Sequence, residues 1–297
     1  MYNTHMKKEV LRVAVAQIDC VLGDLEANFA KHMEYIQQAR QQKVDLLLFP
    51  ELSLTGYAIG PQTVEMSLER RDVHLLELAE ASGPMWTLVG FMEEGVAAQF
   101  HNSQVALHNG EVEFIHRKLN LATYGQLEEG KHFSEGRYFE AFELEDPRWK
   151  VGTLICSDAW NPALMHLSAV HGTTLMLLPI ASTRTAVDGN FSNPHGWSIT
   201  AEFYSMIYGF PTLMANHAHG VSGLDFWGGS RILDPYGGIV AVADEQEELL
   251  VGEISYIDIK KARYRLPTLR DSNLDLVVRE LQRLSHQIGI PRESRPL

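Results

Sequence analysis

An apolar strand that ends in a thiol occupies residues 151–160, which read Val151-Gly152-Thr153-Leu154-Ile155-Cys156-Ser157-Asp158-Ala159-Trp160. The apolar and β-branched run before Cys156 is typical of a strand that is buried on both faces of a sheet. Because such a strand ends at the rim of its sheet, the stretch predicts that the thiol stands at that rim. Cys156 is therefore the best candidate for a nucleophile in this chain.

Strand-like and helical segments alternate along the rest of the chain, which indicates a layered α/β fold. The first unit combines a strand over residues 11–18, a helix over residues 25–36 and a strand over residues 46–49. Further strands are predicted at 86–92, 103–107, 112–116, 149–155, 175–179, 212–215, 228–233, 239–243 and 249–254, and further helices end at 81 or span 163–170, 199–208 and 274–288.

Turn and linker patterns define how these segments are connected. Asn109 and Gly110 predict a tight hairpin turn between two of the strands. No Pro-, Gly- or Ser-rich tract divides the chain. We therefore expect a single domain over residues 1–297, with a C-terminal helical tail from about residue 270.

Composition limits the classes of function. The chain has 297 residues, 45% of them hydrophobic, which is enough to bury one large core. A formal net charge of -13 without a basic run argues against nucleic acid as a partner. Residues 1–8 lack the apolar stretch of a signal peptide, and no apolar run is long enough to cross a membrane. Two cysteines, Cys20 and Cys156, are too few for a disulfide framework, which favours a reducing, cytoplasmic location.

Two other strand-like segments also end in side chains that assist a thiol. Residues 45–51 end in the carboxylate of Glu51, and residues 112–118 end in the ammonium group of Lys118. A cysteine reacts as its thiolate, and its ordinary pKa is about 8.5, so catalysis needs a neighbouring base or cation. Glu51 and Lys118 can supply both. The chain also has 13 histidines, and a Cys–His pair stays open because the sequence selects no particular histidine.

Five blocks of sequence follow one another in a specific order and spacing. They are Val13-Ala14-Val15-Ala16-Gln17; Phe49-Pro50-Glu51-Leu52-Ser53-Leu54-Thr55-Gly56-Tyr57; His116-Arg117-Lys118-Leu119; Gly152 to Asp158; and Ala215-Asn216 with Gly220, Gly229-Ser230 and Asp234-Pro235-Tyr236-Gly237. Together they resemble the nitrilase, or carbon-nitrogen hydrolase, superfamily over most of the chain. The resemblance implies an α/β fold, the four-layer α-β-β-α sandwich of the nitrilase type.

The resemblance also implies a set of catalytic residues. Glu51 would move the protons, Cys156 would attack the substrate, and Lys118 would hold the developing oxyanion. A second glutamate near the lysine aligns best with Glu129, and the adjacent Glu128 is its rival. This chemistry needs no metal and no organic cofactor. It predicts cysteine-dependent hydrolysis of a small amide or N-carbamoyl compound through a thioester, giving a carboxylic acid and ammonia.

The substrate is less well specified. Residues 118–133 look closest to the glutaminase domains of NAD synthetases. Such a synthetase needs a second, nucleotide-binding domain; residues 222–225 lack the second glycine and the final serine of its Gly-rich loop, and the chain ends early for that domain. Residues 161–163, Asn-Pro-Ala, stand where many family members look like Phe-Pro-Glu. A nitrilase acting on a nitrile, and a non-catalytic interaction module on the same fold, are the alternatives.

Several nearby side chains are candidates for the pocket. Tyr57, Tyr124 and Trp160 are interpreted as candidates for lining a substrate pocket. The resemblance implies that the main-chain N–H of Ser157 is a second partner of the oxyanion. Asp158 is expected to accept main-chain hydrogen bonds at the turn into the next helix.

Other motifs suggest separate hypotheses. Cys20 has no chemically useful neighbours in the sequence and is predicted to be structural. His217 and His219 have the spacing of a pair that faces one side of a strand, which would fit a metal-dependent hydrolase, but a pocket-lining role is favoured. By resemblance we also expect a homodimer or higher homo-oligomer, with helices near the nucleophile strand and the C-terminal segment at a two-fold interface.

Overall fold

The computed structural model describes residues 7–57, 59–125, 127–187, 190–220 and 223–285. Four of the predicted features fall partly outside these ranges. They are the N-terminal residues 1–6, residue 126 of the segment 118–133, residue 222 of the Gly-rich-loop candidate, and residues 286–297 of the predicted C-terminal helical tail.

Twelve strands and seven helices form the described part of the chain. The strands are β1 Val10–Gln17, β2 Leu46–Leu48, β3 Trp86–Glu94, β4 Phe100–His108, β5 Glu111–Arg117, β6 Ala141–Glu143, β7 Lys150–Thr153, β8 Leu175–Pro179, β9 Thr212–Ala215, β10 Arg231–Leu233, β11 Ile239–Val242 and β12 Glu248–Ser255. The helices are α1 Leu25–Gln41, α2 Thr63–Met66, α3 Val73–Ser82, α4 Pro162–Val170, α5 Asn193–Tyr208, α6 Tyr256–Arg265 and α7 Leu274–Ser285.

The strands form two six-stranded mixed sheets. The first has the order β12-β1-β2-β3-β4-β5 and the second the order β11-β10-β9-β8-β7-β6. β1, β2 and β3 run parallel, as do β7, β8 and β9. β5 runs the same way as β3, because each is antiparallel to β4. The segments that follow β2, β5 and β7 therefore leave their sheets at carboxyl ends, where the three predicted site residues lie.

Alternating side chains build the four layers. In β1, Val13 and Val15 point into the core between the sheets, whereas Ala14 and Ala16 face the outer layer of α1 and α3. The outer face of the second sheet packs in the same way on α4 and α5, through residues such as Trp197. Burial of these three apolar layers is the main favourable term in folding. The α-β-β-α sandwich predicted from the sequence is thereby confirmed.

Local sequence explains where two elements begin. The helix predicted from residue 199 starts at Asn193, because Ser192 caps its N-terminus by accepting from the main-chain N–H of His195 (3.4 Å) and a proline follows in the first turn. The strand predicted from residue 228 starts at Arg231. Gly228 and Gly229 have φ values of 63° and 66°, which is left-handed backbone and cannot continue the pairing.

The predicted hairpin and the C-terminal helix are both present. Asn109 and Gly110 have positive φ (49° and 80°) and join β4 to β5, as a tight turn requires. α7 is amphipathic, and its apolar residues Leu276, Val277 and Leu281 are exposed. Within the described ranges, no helix combines the length and the apolar character needed to span a membrane.

Candidate active site

A sharp turn after β2 presents the Glu51 carboxylate. Leu52 has φ 50°, and the turn packs against Gly90 of β3, where a Cβ atom would collide with the main chain of Pro50 and Leu52. His217 donates its Nε2–H to the carbonyl oxygen of Glu51 (2.7 Å). Burial lowers the pKa of His217 to about 4, so this imidazole stays neutral. The turn is therefore held from both sheets.

A buried lysine joins two carboxylates. Lys118, only 1% exposed, donates from Nζ to Oε1 of Glu51 (2.6 Å) and to Oε1 of Glu129 (2.7 Å). Glu129 also accepts from the hydroxyl of Tyr57 (2.7 Å) and from the main-chain N–H of Ala122 (2.9 Å). The sequence favoured Glu129 over its neighbour for this place, and the structure puts Glu129 there.

The rival glutamate lies elsewhere. Glu128 is exposed and pairs with Lys131 at 2.5 Å. The short 3-10 turn Glu129–Lys131 begins directly after Glu128, and adjacent side chains there point in different directions. Glu129 is therefore a buried partner of Lys118, whereas its neighbour Glu128 forms an ion pair on the surface.

Asn102 is a member of this cluster that the sequence analysis missed. Its side-chain Nδ2 donates to Oε1 of Glu51 (2.7 Å), and its main-chain carbonyl oxygen accepts from the main-chain N–H of Lys118 (2.8 Å). The predicted strand began at residue 103, whereas β4 begins at Phe100. Its start lay outside the predicted segment, so the inward-facing Asn102 was not considered.

Cys156 follows β7 in a strained backbone conformation. It opens the 3-10 turn Cys156–Trp160 with φ 45°, a left-handed value that is uncommon for a residue other than glycine. The side chain is 9% exposed, and the main-chain N–H of Ala181 faces its sulfur. Residues in strained backbone conformations are often found at active sites.

The electrostatic surroundings keep the thiol protonated. Burial raises the pKa of Cys156 well above its usual value, Glu51 and Glu129 raise it further, and Lys118 only partly opposes them. The sequence analysis treated the lysine as a possible source of thiolate, but burial of the thiol, together with two nearby carboxylates, outweighs the effect of one ammonium group. A reaction at this sulfur would therefore need a base to remove its proton.

The two charged partners of the thiol also perturb each other. Burial raises the pKa of Glu51, and Lys118 opposes this only in part. Burial lowers the pKa of Lys118, but Glu129 and Glu51 more than offset it and hold the pKa well above its usual value. The lysine is a permanent cation, and the glutamate is a carboxylate that accepts a proton more readily than usual.

Asp158 ties the lysine segment to the cysteine turn. Its Oδ1 accepts from the main-chain N–H groups of Leu119 (3.0 Å) and Asn120 (2.6 Å), and its Oδ2 accepts from that of Ile155 (3.0 Å). The expected role at the turn into the next helix was wrong in part, because Asn161 is the N-cap of α4. The Asp158 carboxylate accepts main-chain hydrogen bonds as predicted, but two of them come from the segment after Lys118.

Replacing Asp158 with asparagine is expected to lower stability by about 1–3 kcal/mol, because an amide cannot accept on both sides and would leave a buried N–H without an acceptor. Urea unfolding measures this change. Asp24→Asn is the matched control: Asp24 caps α1 through the N–H of Ala27 (3.0 Å), a bond that asparagine can also accept. Equal stability of the two variants would contradict the role given to Asp158.

The predicted pocket residues differ in their exposure and in the residues that they contact. Tyr124 is half-exposed, and its hydroxyl is close enough to Cys156 for the sulfur to raise its pKa, although burial is the larger cause. Trp160 packs on Trp197 (4.3 Å between ring centres) and meets Phe191 edge-on. The hydroxyl of Ser157 donates to the carbonyl of Asn120 (2.6 Å), which fixes the turn.

A small cavity lies next to the hydrogen-bonded pair of Tyr57 and Glu129. It has a volume of about 260 Å³ and shares Tyr57 and Glu129 with the cluster. Its other lining residues are mostly apolar, and they include Leu52, Ile59, Met92, Leu127 and Phe133.

The two histidines considered for a metal lie in different environments. His217 is buried and stacks on Phe226, and His219 is exposed. Among the described residues, no group of three or more His, Cys, Asp or Glu side chains is arranged to hold a metal ion. Cys20 is also buried, and its thiol donates to the carbonyl of Ser53 (3.1 Å), away from the cluster.

An α-β-β-α sandwich that gathers a thiol, an ammonium group and two carboxylates at its strand ends belongs to the class of enzymes that cleave carbon–nitrogen bonds. The carbon-nitrogen hydrolase family model matches residues 12–264. The chain is therefore a member of the carbon-nitrogen hydrolase family.

Curated relatives include two kinds of enzyme. A glutamine-dependent NAD(+) synthetase from Thermotoga maritima is 30% identical over 247 residues, which cover 81% of this chain and 41% of the relative. An N-carbamoylputrescine amidase from Solanum lycopersicum is 25% identical and covers 91% of this chain and 94% of its own length. The chain thus spans less than half the length of the synthetase, and nearly the whole length of the amidase.

Solved structures share the fold. An amidase of the nitrilase superfamily from Nesterenkonia AN1 superposes with a TM-score of 0.77 at 22% identity, over 93% of this chain and 98% of that one.

Proposed function

We propose that the protein hydrolyses a small carboxamide through a thioester on Cys156, giving a carboxylic acid and ammonia. The observation that carries the proposal is the buried cluster of Glu51, Lys118 and Glu129 next to a thiol that stays protonated at rest. A base, a fixed cation and a nucleophile in one dry site are the parts that acyl transfer needs.

The steps follow from the contacts. Oε1 of Glu51 is occupied by two donors, so Oε2 takes the proton of the Cys156 thiol as the sulfur attacks the amide carbon. An ammonium group has three N–H donors; Lys118 spends two on the carboxylates and keeps the third for the oxyanion, together with the main-chain N–H of Ser157. Glu51 then gives its proton to the departing amine, which leaves as ammonia.

The second half of the reaction returns the enzyme to its starting state. Water attacks the thioester while Glu51 accepts one of its protons, and the carboxylic acid departs as the sulfur regains that proton. A positioned general base contributes about 10² to 10⁴ in rate, and one oxyanion donor about 10² to 10³.

Two considerations support an amide as the substrate. One relative of matching length is named for an N-carbamoyl substrate, which has the same terminal carbonyl and amino group as a primary amide. For the Nesterenkonia amidase, covalent addition of the acetamide moiety of fluoroacetamide at the active-site cysteine has been observed. Nitrile hydrolysis uses the same nucleophile and is the second candidate.

The experiment is a screen with two readouts. The protein is incubated with small primary amides including glutamine, with N-carbamoyl amines and with nitriles, while ammonia is measured and adducts on Cys156 are sought by mass spectrometry. Ammonia release with an acyl adduct on Cys156 is expected from amides. Turnover of nitriles alone would replace the amidase proposal with a nitrilase. Absence of turnover and of adducts, also with fluoroacetamide, would favour the non-catalytic module.

Replacing Glu51 with glutamine is expected to lower kcat/KM by about 10² to 10⁴, because the isosteric amide cannot accept the thiol proton. In the wild type, activity is full above the pKa of Glu51 and falls as pH drops through it. Since that pKa is raised, the fall begins above the ordinary range of a glutamate. A pH series of kcat/KM checks both points. Glu128→Gln, on the exposed neighbour, should leave the profile unchanged.

We further propose a homodimer that buries the exposed face of α5. Ile199, Phe203 and Met206 lie one helical turn apart on that face and are exposed, and Tyr236 beside them is exposed as well. Phe203→Glu is expected to shift the molecular mass measured by light scattering from that of a dimer to that of a monomer. Tyr264→Glu, on the exposed side of α6, is the control that should not change the mass. A monomeric wild type would contradict the proposal.

A further inference from the structure

Asn102 is a buried amide whose side chain contacts the Glu51 carboxylate and whose main chain contacts the main chain of Lys118. It lies on β4, 1% exposed, opposite Met92 of β3. Its side chain donates to Oε1 of Glu51 (2.7 Å), and its main chain accepts from the N–H of Lys118 (2.8 Å). We propose that Asn102 is a positioning residue that locks the Glu51 carboxylate, so that Oε2 alone is presented to the thiol; the proposal rests on the function proposed above.

The two carboxylate oxygens of Glu51 differ in their hydrogen bonding. Oε1 of Glu51 accepts from both Asn102 and Lys118, whereas Oε2 is buried and has no hydrogen-bond partner among the described residues. A buried carboxylate oxygen without a partner is costly, and such groups in native proteins need an explanation. A proton that arrives from Cys156 during the reaction supplies one.

Two donors are needed to hold this arrangement. Lys118 has a single Nζ that can follow the carboxylate, so on its own it leaves the group free to rotate partway about its last bond and to carry the second oxygen away from the thiol. The amide of Asn102 is fixed on a strand of the sheet, and it approaches Oε1 from a second direction. With both donors in place, a carboxylate rotated partway would lose the Asn102 bond.

The same bond affects the charge of the base. Burial raises the pKa of Glu51, and the amide N–H of Asn102 works with Lys118 against that rise because it stabilises the ionised form. Asn102 therefore contributes to orientation and to ionisation, and loss of its side chain should be visible in a pH profile. A residue that only filled space in the core would not move that profile.

The experiment measures the rate at which iodoacetamide alkylates Cys156 in the full chain as a function of pH. In Asn102→Leu, the acid limb of the profile is expected to move to higher pH by about one unit, the size of effect that one hydrogen bond to a charged group has. Below that limb, the rate should be about tenfold lower than in the wild type.

Gln104→Leu is the matched control. Gln104 lies two residues further along β4 and so on the same face, it is also a buried amide, and its Nε2 donates to the carbonyl of Phe49 (3.3 Å) without contacting Glu51. It should lose a comparable amount of stability and keep the wild-type profile. If Asn102→Leu does not fold, the isosteric Asn102→Asp carries the test, and its acid limb should also move to higher pH because a second carboxylate faces Glu51.

The outcomes separate the two proposals. A wild-type profile with a Glu51-dependent acid limb that moves in the Asn102 variants and stays in Gln104→Leu supports the positioning role. The same wild-type profile with an unmoved limb in a folded Asn102 variant overturns the role and leaves the proposed function standing. A wild-type rate that does not change in Glu51→Gln at any pH overturns the proposed function itself.

Discussion

Replacing Cys156 with alanine is expected to abolish hydrolysis, with a loss on the order of 10⁴-fold or more in kcat. The reason is that no other group in the cluster can form the thioester: Glu51 and Lys118 move protons and stabilise charge, and Glu129 is bound to Tyr57 and Lys118. The measurement is ammonia release from the amide identified in the screen, together with mass spectrometry of the protein after reaction.

Cys20→Ala is the control for that variant. Cys20 is as buried as the core around it, and its thiol donates to the carbonyl of Ser53. Its loss should lower stability slightly and leave kcat unchanged. Residual turnover of Cys156→Ala near the wild-type rate would exclude a thioester mechanism, and loss of turnover on chelation would then favour the metal-dependent alternative at His217 and His219.

Replacing Lys118 with methionine is expected to destabilise the protein by about 3–5 kcal/mol, because it leaves two buried carboxylates without their cation. The two bonds that are lost, to Glu51 (2.6 Å) and Glu129 (2.7 Å), are both inside the protein. Hydrolysis should fall as well, by about 10² to 10³ for the oxyanion donor alone. Denaturant unfolding and kcat measure the two effects.

The pH dependence of this loss has a definite sign. Without Lys118, the pKa of Glu51 rises further in the folded state while the unfolded value stays the same. The folded variant therefore binds more protons than the unfolded chain, and its stability falls as pH rises through the folded pKa of Glu51. The deficit should be small at acidic pH and full at alkaline pH.

Lys131→Met is the matched control for the lysine. Lys131 pairs with Glu128 at 2.5 Å, a distance similar to that of the buried bonds, but both side chains are in solvent. Exposed ion pairs contribute little to stability, so this variant should unfold like the wild type. Similar losses in Lys118→Met and Lys131→Met would mean that burial of the Lys118 cluster has been misjudged.

Much of the fold and three of the cluster residues could be predicted because they follow local patterns. Buried parallel strands are nearly continuous apolar runs, so the strands that end before Glu51 and Cys156 were visible in the sequence. Lys118 was visible in the same way at the end of β5, which lies in one sheet with β2. Cys156 follows β7 of the other sheet, so Glu51 and Cys156, 105 positions apart in the numbering, meet only because the two sheets pack face to face.

Other parts depend on three-dimensional context that no local pattern contains. The preference for Glu129 over Glu128, which places it beside Lys118, came only through resemblance, since both are acidic and the direction of a side chain in an irregular loop is set by tertiary contacts. Asn102 was missed because polar residues at the start of a strand resemble those of a loop. The protonated state of the thiol depends first on the burial of Cys156 and then on the carboxylates around it, and both become known only when the segments are packed together.

The left-handed backbone at Cys156 means that folding stability and catalytic activity favour different residues at this position. A residue other than glycine in such a conformation costs of order 1–3 kcal/mol, and glycine would remove this cost along with the sulfur. In a library selected for heat tolerance alone, Cys156→Gly would be enriched and turnover lost. Engineering of this enzyme therefore has to select for product formation and for thermal survival in the same round.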